Sequence, residues 1–308
     1  MSTRVRGLAL GVIAVSLAAC GSSGGHRAEA APPALGAVPI VTEPGQVSLP
    51  TDAYLVTPAQ ITDIIRAQDL VTAQCMAEYG LTGRPTVLFG LDEVVSDRAT
   101  RSLVYGYFDL ANAGAKGYAT EGIQQLPSGG DAAGGGSDQD QIALSGADPR
   151  TGQAVTALAG KPLPAGGCQQ KGRDALGGST PAPSVGDLPD GGPKVPVTDP
   201  RLVEAFATWS ACMKEKGFDY KEPVNAIGDQ AWRRSGGAGP SQQEIATATA
   251  DVACKVANNT VGVAVAVQTA YANQYIESHT AKLTAYRQRI DDMLRKAAEL
   301  AAATPAKS

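Results

Sequence analysis

Histidine and aromatic side chains are scarce in this chain. Its 308 residues include two histidines and two tryptophans, and aromatic residues make up 5% of the whole. Histidine is the side chain that most readily carries protons near neutral pH, but His26 lies in a small, polar N-terminal stretch. His279 falls within a predicted helix, where a polar side chain more often specifies packing. This scarcity argues against a histidine-based catalytic centre or metal site.

Long apolar runs and catalytic motifs are missing as well. Beyond the N-terminal segment no apolar run reaches the roughly 18 residues that a membrane-spanning helix needs, so no transmembrane helix is expected. The sequence contains no Gly-x-Ser-x-Gly, His-Glu-x-x-His or Walker motif. No lysine follows the glycines at 134–136, so this run is not a phosphate-binding loop. We therefore predict no cofactor and no catalytic or metal-ligating residues.

The N-terminal segment has the layout of a secretory leader. Arg4 and Arg6 precede an apolar run over residues 8–17, and two alanines stand before Cys20. About ten apolar residues are too few to span a bilayer but are typical of a signal peptide.

The run Leu17-Ala18-Ala19-Cys20 resembles the bacterial lipobox. In proteins with that motif the cysteine thiol receives a diacylglycerol, and cleavage leaves the cysteine as the new N-terminus. The resemblance implies a signal peptide over residues 1–19 and a lipidated Cys20 on the extracytoplasmic face of a bacterial cell membrane. Two acyl chains hold a protein firmly where one holds it marginally. We expect residues 20–52 to form a flexible tether. The alternative is an ordinary signal peptide with a chance cysteine.

An excess of basic charge is also absent. Without residues 1–19 the chain carries 24 Lys and Arg against 30 Asp and Glu, a net charge of about −6. Proteins that bind nucleic acids present a basic surface. We therefore expect the partners to include the membrane, through the diacylglycerol, and no nucleic acid.

Four further cysteines predict a covalent framework. Outside the membrane thiols oxidise, and an even number of cysteines indicates disulfides. Four cysteines allow three pairings, and the Pro/Gly-rich linker over residues 177–198 favours Cys75–Cys168 and Cys212–Cys254 because it separates one pair from the other. A metal site is the alternative, which the absence of Cys-x-x-Cys spacing disfavours.

The first cysteine of each pair opens the same motif, Cys-Met-x-Glu-x-Gly, which ends at Gly80 and at Gly217. Upstream, Thr57-Pro58 and Asp199-Pro200 each place a capping oxygen before a proline, which predicts the start of a helix. The two glycines suit the left-handed residue that ends a helix. We interpret this as a weak internal duplication.

Two longer segments, 209–220 and 244–254, resemble a group of secreted actinobacterial lipoproteins. Gly166-Gly167-Cys168 resembles the partner cysteine in their first half. The similarity covers about residues 53–290. It implies the same extracytoplasmic address and the same cysteine pairing, but no activity.

These patterns predict a mainly α fold: two small disulfide-stapled helical units joined by Pro/Gly-rich linkers, with a long C-terminal amphipathic helix. We place the first unit at 53–176, with a disordered loop near 127–141. The linker at 177–198 leads to the second unit at 199–302, and residues 303–308 form a tail.

The C-terminal helix has the strongest periodicity in the chain, with spacings of three and four residues that match heptad positions a and d. One interpretation is a helix that packs on its own domain. The other is a coiled-coil seam that faces a protein partner or a second copy, because the helix extends beyond the small core available to it. The seam comprises Ile276, His279, Leu283, Tyr286, Ile290, Met293, Ala297 and Leu300.

Glu244 and Asp251 are seven residues apart and therefore share a helix face. Two such carboxylates could serve as an acid and a base. We instead expect Glu244 to close a capping box with Ser241, and Asp251 to lie at the surface or in a hydrogen bond.

The sequence thus favours a non-catalytic binding or interaction role at the cell surface. One alternative is a lipid-anchored enzyme that acts on cell-wall material through an unrecognised carboxylate site. Another is the binding lipoprotein of a transporter, although the alternation of strands and helices expected of such a domain is missing.

Overall fold

The computed structural model describes residues 31–82, 104–118, 137–232 and 239–303, and the leader with Cys20 lies outside this part. The described residues are mainly helical and carry two disulfides, which confirms the predicted fold class. A single two-stranded hairpin among them joins β1 (Ala157–Leu158) to β2 (Lys161–Pro162) in antiparallel register. The helices are α1 (Pro58–Glu78), α2 (Leu110–Lys116), α3 (Asp138–Ser145), α4 (Gly167–Leu176), α5 (Pro200–Glu215), α6 (Pro223–Ile227), α7 (Gln242–Ala257) and α8 (Thr260–Ala303).

The two predicted helix starts are confirmed at residue level. The side chains of Thr57 and Asp199 each accept a backbone N–H from the first turn of α1 and α5, and a proline occupies the first position of both helices. Gly80 and Gly217 follow the ends of these helices with φ of +76° and +89°. Those values are the left-handed conformation that a side chain disfavours, so both glycines act as helix terminators.

Each disulfide ties a pair of helices together. Cys75–Cys168 joins α1 to α4 with a Cα–Cα distance of 5.5 Å, and Cys212–Cys254 joins α5 to α7 at 5.8 Å. This is the pairing that the sequence favours. The loops they close would contribute about 4 to 5 kcal/mol each in the chain-entropy model.

The long helix α8 packs against both halves of the chain. Its N-terminal part, with buried Val261 and Val265, shares an apolar cluster with Trp209 of α5. Its C-terminal part packs on α1, where Ile290 shares a cluster with Ile61. The sequence assigns α8 to the second unit alone, but it runs along both, and the chain from Pro33 onward forms one compact unit.

The periodic face of α8 is covered by its own chain. The interpretation of this face as a partner-facing seam is therefore wrong for its central residues, because α1, α4 and the segment 185–191 supply the apolar surface that sequence reasoning found missing. Ile276 and Leu300 are half-buried against the same clusters. The fully covered seam residues are Leu283, Tyr286, Ile290, Met293 and Ala297.

The expectation of a flexible tether is wrong for residues 33–52. Val41 and Leu49 are buried in the main apolar cluster, because their side chains pack against its other apolar side chains. The Val41 N–H donates to Asn259 Oδ1 at 3.1 Å, and the Pro33 carbonyl accepts from Arg201 at 2.7 Å. This segment therefore forms a strap along α5 and the junction of α7 and α8.

Two other predicted irregular segments are partly ordered. The expected loop near 127–141 ends earlier, because Ser137 caps α3 and forms a capping box with Asp140; residues 127–136 lie outside the described part. The linker at 177–198 contains two 3-10 turns, and its Leu188 is buried against α8. Buried apolar side chains thus anchor a stretch whose composition alone indicates a linker.

Candidate functional site

A buried polar cluster forms where α7 meets α5 and the segment before α2. The Asp251 carboxylate accepts from Lys255 Nζ at 2.8 and 2.9 Å and from Trp209 Nε1 at 2.9 Å. Lys255 also donates to the Tyr107 carbonyl at 2.6 Å. The side chains of Asp251 and Lys255 are both 0% exposed.

Burial governs the charges in this cluster. It raises the pKa of Asp251 and lowers the pKa of Lys255, while the charge of each partner opposes the shift of the other. Burial, with the nearby Asp251 carboxylate, also raises the pKa of the Tyr118 hydroxyl. An ion pair enclosed in this way joins three parts of the chain and presents no atom to a substrate, so we assign it a structural role.

The second carboxylate of the predicted pair is also enclosed. Ser241 accepts the Glu244 N–H at 3.0 Å as expected, but the Glu244 side chain accepts the Tyr118 N–H at 3.0 Å instead of returning to the cap. Gly117, with φ of +62°, makes room for it, because a Cβ there would lie 2.7 Å from Glu244 Oε1. The predicted capping box is therefore half formed. Glu244 is 2% exposed, so the two carboxylates do not form an open acid–base site.

A groove at a kink in α8 is the candidate functional site. The helix bends at His279, whose φ of −121° and ψ of 16° are not helical. The Tyr275 carbonyl, the acceptor for a helical N–H four residues on, also lies 3.0 Å from the Ser278 hydroxyl and 2.9 Å from His279 Nδ1. Side chains that compete for helix carbonyls in this way produce kinks.

The opposite wall of the groove carries a backbone outlier of its own. Asp190 has φ of +56°, a left-handed conformation that costs a non-glycine residue about 1–2 kcal/mol. Its carboxylate accepts from Lys282 Nζ at 2.6 Å and lies 3.1 Å from His279 Nε2. Hydrogen bonding to Lys282, with a smaller contribution from His279, lowers the pKa of Asp190. The helix kink and the left-handed residue therefore meet across one groove.

The cavity between these walls has a volume of about 450 Å³, within the range of sites for small ligands. Tyr275 is buried at its base, where its ring stacks on His279 with centroids 4.3 Å apart and its hydroxyl donates to the Pro189 carbonyl at 2.7 Å. Tyr271 donates to Asp199 at 3.1 Å. The lining residues are Asp190, Gly192, Pro193, Lys194, Tyr271, Gln274, Tyr275, Ser278 and His279.

Ser278, His279 and Asp190 form a chain of contacts that superficially matches a nucleophile, a base and an acid. The distances are 2.8 Å from Ser278 Oγ to His279 Nδ1 and 3.1 Å from His279 Nε2 to Asp190. However, the single Ser278 proton is directed at helix carbonyls, at 2.9 and 3.0 Å. Nδ1 also lies 2.9 Å from the Tyr275 carbonyl, so it is not directed at the serine alone. The chain of contacts does not activate a nucleophile.

Sequence reasoning located one residue of this groove, His279, and assigned it to packing. It missed Asp190, Tyr271 and Gln274. The spacing of Tyr271, Tyr275 and His279, four residues apart on one helix face, is the signal that could have found the α8 wall. Within the described ranges no group of three or more His, Cys, Asp or Glu side chains is placed to hold a metal ion.

No protein-family model, curated protein or solved structure matches this chain. Of the helices described, none is long and apolar enough to cross a membrane.

Proposed function

We propose that this protein is a lipid-anchored, extracytoplasmic binding protein that holds its ligand in the groove at the α8 kink without transforming it. The observation that carries the proposal is the groove itself: a cavity of about 450 Å³ at which the kink of α8 and the left-handed Asp190 meet. Backbone outliers persist where the surrounding structure holds them in place, and they cluster at ligand sites.

Contacts within the chain hold the walls of the groove together. Hydrogen bonds from Tyr275 to the Pro189 carbonyl and from Lys282 to Asp190 connect α8 to the segment that faces it. The buried Leu188 anchors that segment in the same apolar cluster as Tyr275. When the walls of a site are already held in place, ordering them on binding costs less free energy.

The proposed address rests on the resemblance of residues 17–20 to a lipobox and is supported by the two disulfides of the fold. Disulfides persist in oxidising compartments outside the cytoplasm, and this chain has two, Cys75–Cys168 and Cys212–Cys254. The two observations come from separate parts of the sequence and agree.

Labelling with an alkyne-bearing fatty acid tests the anchor. Bacteria that express the full chain should incorporate the label into the protein and hold it in the membrane fraction. The Cys20→Ala variant should lose the label. An unlabelled wild-type protein, or a labelled variant, would contradict the anchor.

Blocking the groove tests the site. The full chain in lipid nanodiscs would be screened by ligand-observed NMR against a library of small polar molecules. Ser278→Trp places a bulky ring in the groove, and Thr280→Trp is the matched control, because Thr280 is also exposed and bonds the carbonyl four residues back but does not line the cavity. We expect hits that Ser278→Trp abolishes and Thr280→Trp retains. Hits that survive Ser278→Trp would place binding elsewhere.

A further inference from the structure

We infer that the groove takes a neutral, polyhydroxylated ligand, a short stretch of sugar units from a glycan chain. This inference rests on the proposed function and names the ligand class of the same site. It follows from three properties of the lining: its charge, its hydrogen-bonding groups and its exposed ring surface.

The charged side chains at the groove, one carboxylate and two ammonium groups, already have partners. The Asp190 carboxylate bridges Lys282 and His279. The Lys194 ammonium, on the same wall, donates to the Gly191 carbonyl at 2.7 Å. An anionic ligand would approach the Asp190 carboxylate, and a cationic ligand would approach the two lysines. A neutral ligand meets neither repulsion.

The hydrogen-bonding groups exposed in the groove suit hydroxyls. Gln274 and Ser278 lie four residues apart on α8, and both are exposed in the groove. A glutamine amide donates through nitrogen and accepts through oxygen. The Ser278 oxygen can accept, while its proton is directed at helix carbonyls. Neighbouring sugar hydroxyls also donate and accept, so they can pair with each group of this row. The Lys194 ammonium adds donors from the opposite wall.

Ring surface lies beside this polar row. Tyr271 and His279 are partly exposed, and they flank the buried Tyr275 on one face of α8. The C–H face of a sugar ring is apolar, and an aromatic side chain offers it a flat apolar partner with a polar edge. From Tyr271 to His279 the helix rises about 12 Å. That length accommodates a short oligosaccharide.

The common peptide-binding arrangements do not fit this site. Strand addition needs an exposed sheet edge, and a helical peptide needs a broad apolar groove. The wall opposite α8 is a stretch without β-strand, Pro189 to Lys194, and Tyr275 at the base is only 7% exposed. The groove exposes too little apolar surface to bind an amphipathic helix.

Calorimetry and saturation-transfer NMR on the full chain in nanodiscs test the ligand class. The probes are two neutral oligosaccharides, chitotetraose and maltotetraose, with an acidic oligogalacturonide and a neutral tetrapeptide for comparison. We expect at least one neutral oligosaccharide to bind with a lower Kd than the acidic sugar and the peptide. Gln274→Ala should weaken that binding at least fivefold, the loss of about one hydrogen bond.

Asn273→Ala is the matched control for Gln274→Ala, because Asn273 is an exposed neighbouring amide that does not line the cavity. It should bind as the wild type does. If neither neutral oligosaccharide binds, or if Asn273→Ala weakens binding as much as Gln274→Ala, the inference is overturned. Library hits that remain sensitive to Ser278→Trp would then keep the proposed function while the sugar class fails. Loss of both results would remove the site altogether.

Discussion

Two ion-paired clusters in this molecule contain the same chemical groups but differ in burial. In the Asp251–Lys255 cluster both side chains are 0% exposed, and Trp209 and the Tyr107 carbonyl complete their hydrogen bonds. In the Asp190–Lys282 cluster the side chains are 54% and 61% exposed, and Asp190 lines a cavity. Burial makes the first cluster a structural joint. Exposure, with a strained backbone, makes the second one available to a ligand.

The largest expected effect breaks the buried cluster. Asp251→Ala leaves the Lys255 ammonium buried without its counter-charge, and removing one partner of a buried pair typically costs about 3–5 kcal/mol. Urea unfolding with both disulfides intact measures the loss. The double variant Asp251→Leu with Lys255→Met should cost less than either single charge removal, because no charge is then left unpaired.

Asp190→Asn is the corresponding charge removal in the exposed cluster. It should leave the urea midpoint nearly unchanged, because solvent screens and replaces such pairs and asparagine tolerates the left-handed backbone at this position. A similar loss of stability for Asp190→Asn and Asp251→Ala would remove the distinction between the two clusters.

A second substitution tests the packing around Glu244. Gly117→Ala introduces a Cβ 2.7 Å from Glu244 Oε1 at a φ of +62°. The left-handed conformation alone costs alanine about 1–2 kcal/mol, and displacement of the carboxylate adds to this. Urea unfolding should show a loss of about 2 kcal/mol.

Gly80→Ala, at a φ of +76° with no atom within 4 Å of the new Cβ, is the control and should show the backbone cost alone. Equal losses would mean that the Glu244 contact contributes nothing.

Helix starts, disulfides and the long C-terminal helix could be predicted because their signals are local. Thr57-Pro58 and Asp199-Pro200 each carry their own capping group, and a Pro/Gly-rich stretch separates one cysteine pair from the other. The burial of Asp251 could not be predicted in the same way. Its helix face follows from spacing, but the residues that enclose it come from α5 and from Tyr107, far away in the sequence.

Only one wall of the groove, the one that α8 forms, could be predicted from the sequence. The four-residue spacing of Tyr271, Tyr275 and His279 marks a face of α8. The other wall is in a segment whose glycines and prolines indicate a linker, and nothing in that composition shows that Leu188 anchors it on α8. The kink itself depends on side chains that compete for the Tyr275 carbonyl, which regular helical periodicity does not reveal.

A pH dependence should distinguish a third carboxylate from both clusters. Asp199 is 2% exposed, and hydrogen bonds from Arg201 lower its pKa in the folded state. A lowered folded pKa contributes stability above the unfolded value, near 3.9, and that stability is lost as the pH falls through the folded pKa. The free energy of unfolding should therefore fall below about pH 4.

Asp199→Asn should make that decline shallower, because the carboxylate that must be protonated is gone while a capping oxygen remains. Asp229 is another carboxylate whose pKa is lowered, and it lies outside α5, so Asp229→Asn serves as the comparison. Urea unfolding between pH 3 and pH 7 measures both. An unchanged acid decline in Asp199→Asn would show that other carboxylates cause it.

The smallest expected effect on stability concerns Asp190 and separates strain from charge in the groove. Asp190→Gly removes both the left-handed strain and the carboxylate, so the urea midpoint should rise slightly, since glycine adopts a φ of +56° freely. Oligosaccharide binding should weaken several-fold, because Lys282 and His279 lose the group that holds them at the groove.

Asp190→Asn retains a residue that tolerates the left-handed conformation but loses the charge. If Asp190→Gly gains stability and binds as well as the wild type, the strained carboxylate has no part in recognition. If Asp190→Asn binds as Asp190→Gly does, the charge and not the strained geometry positions the groove.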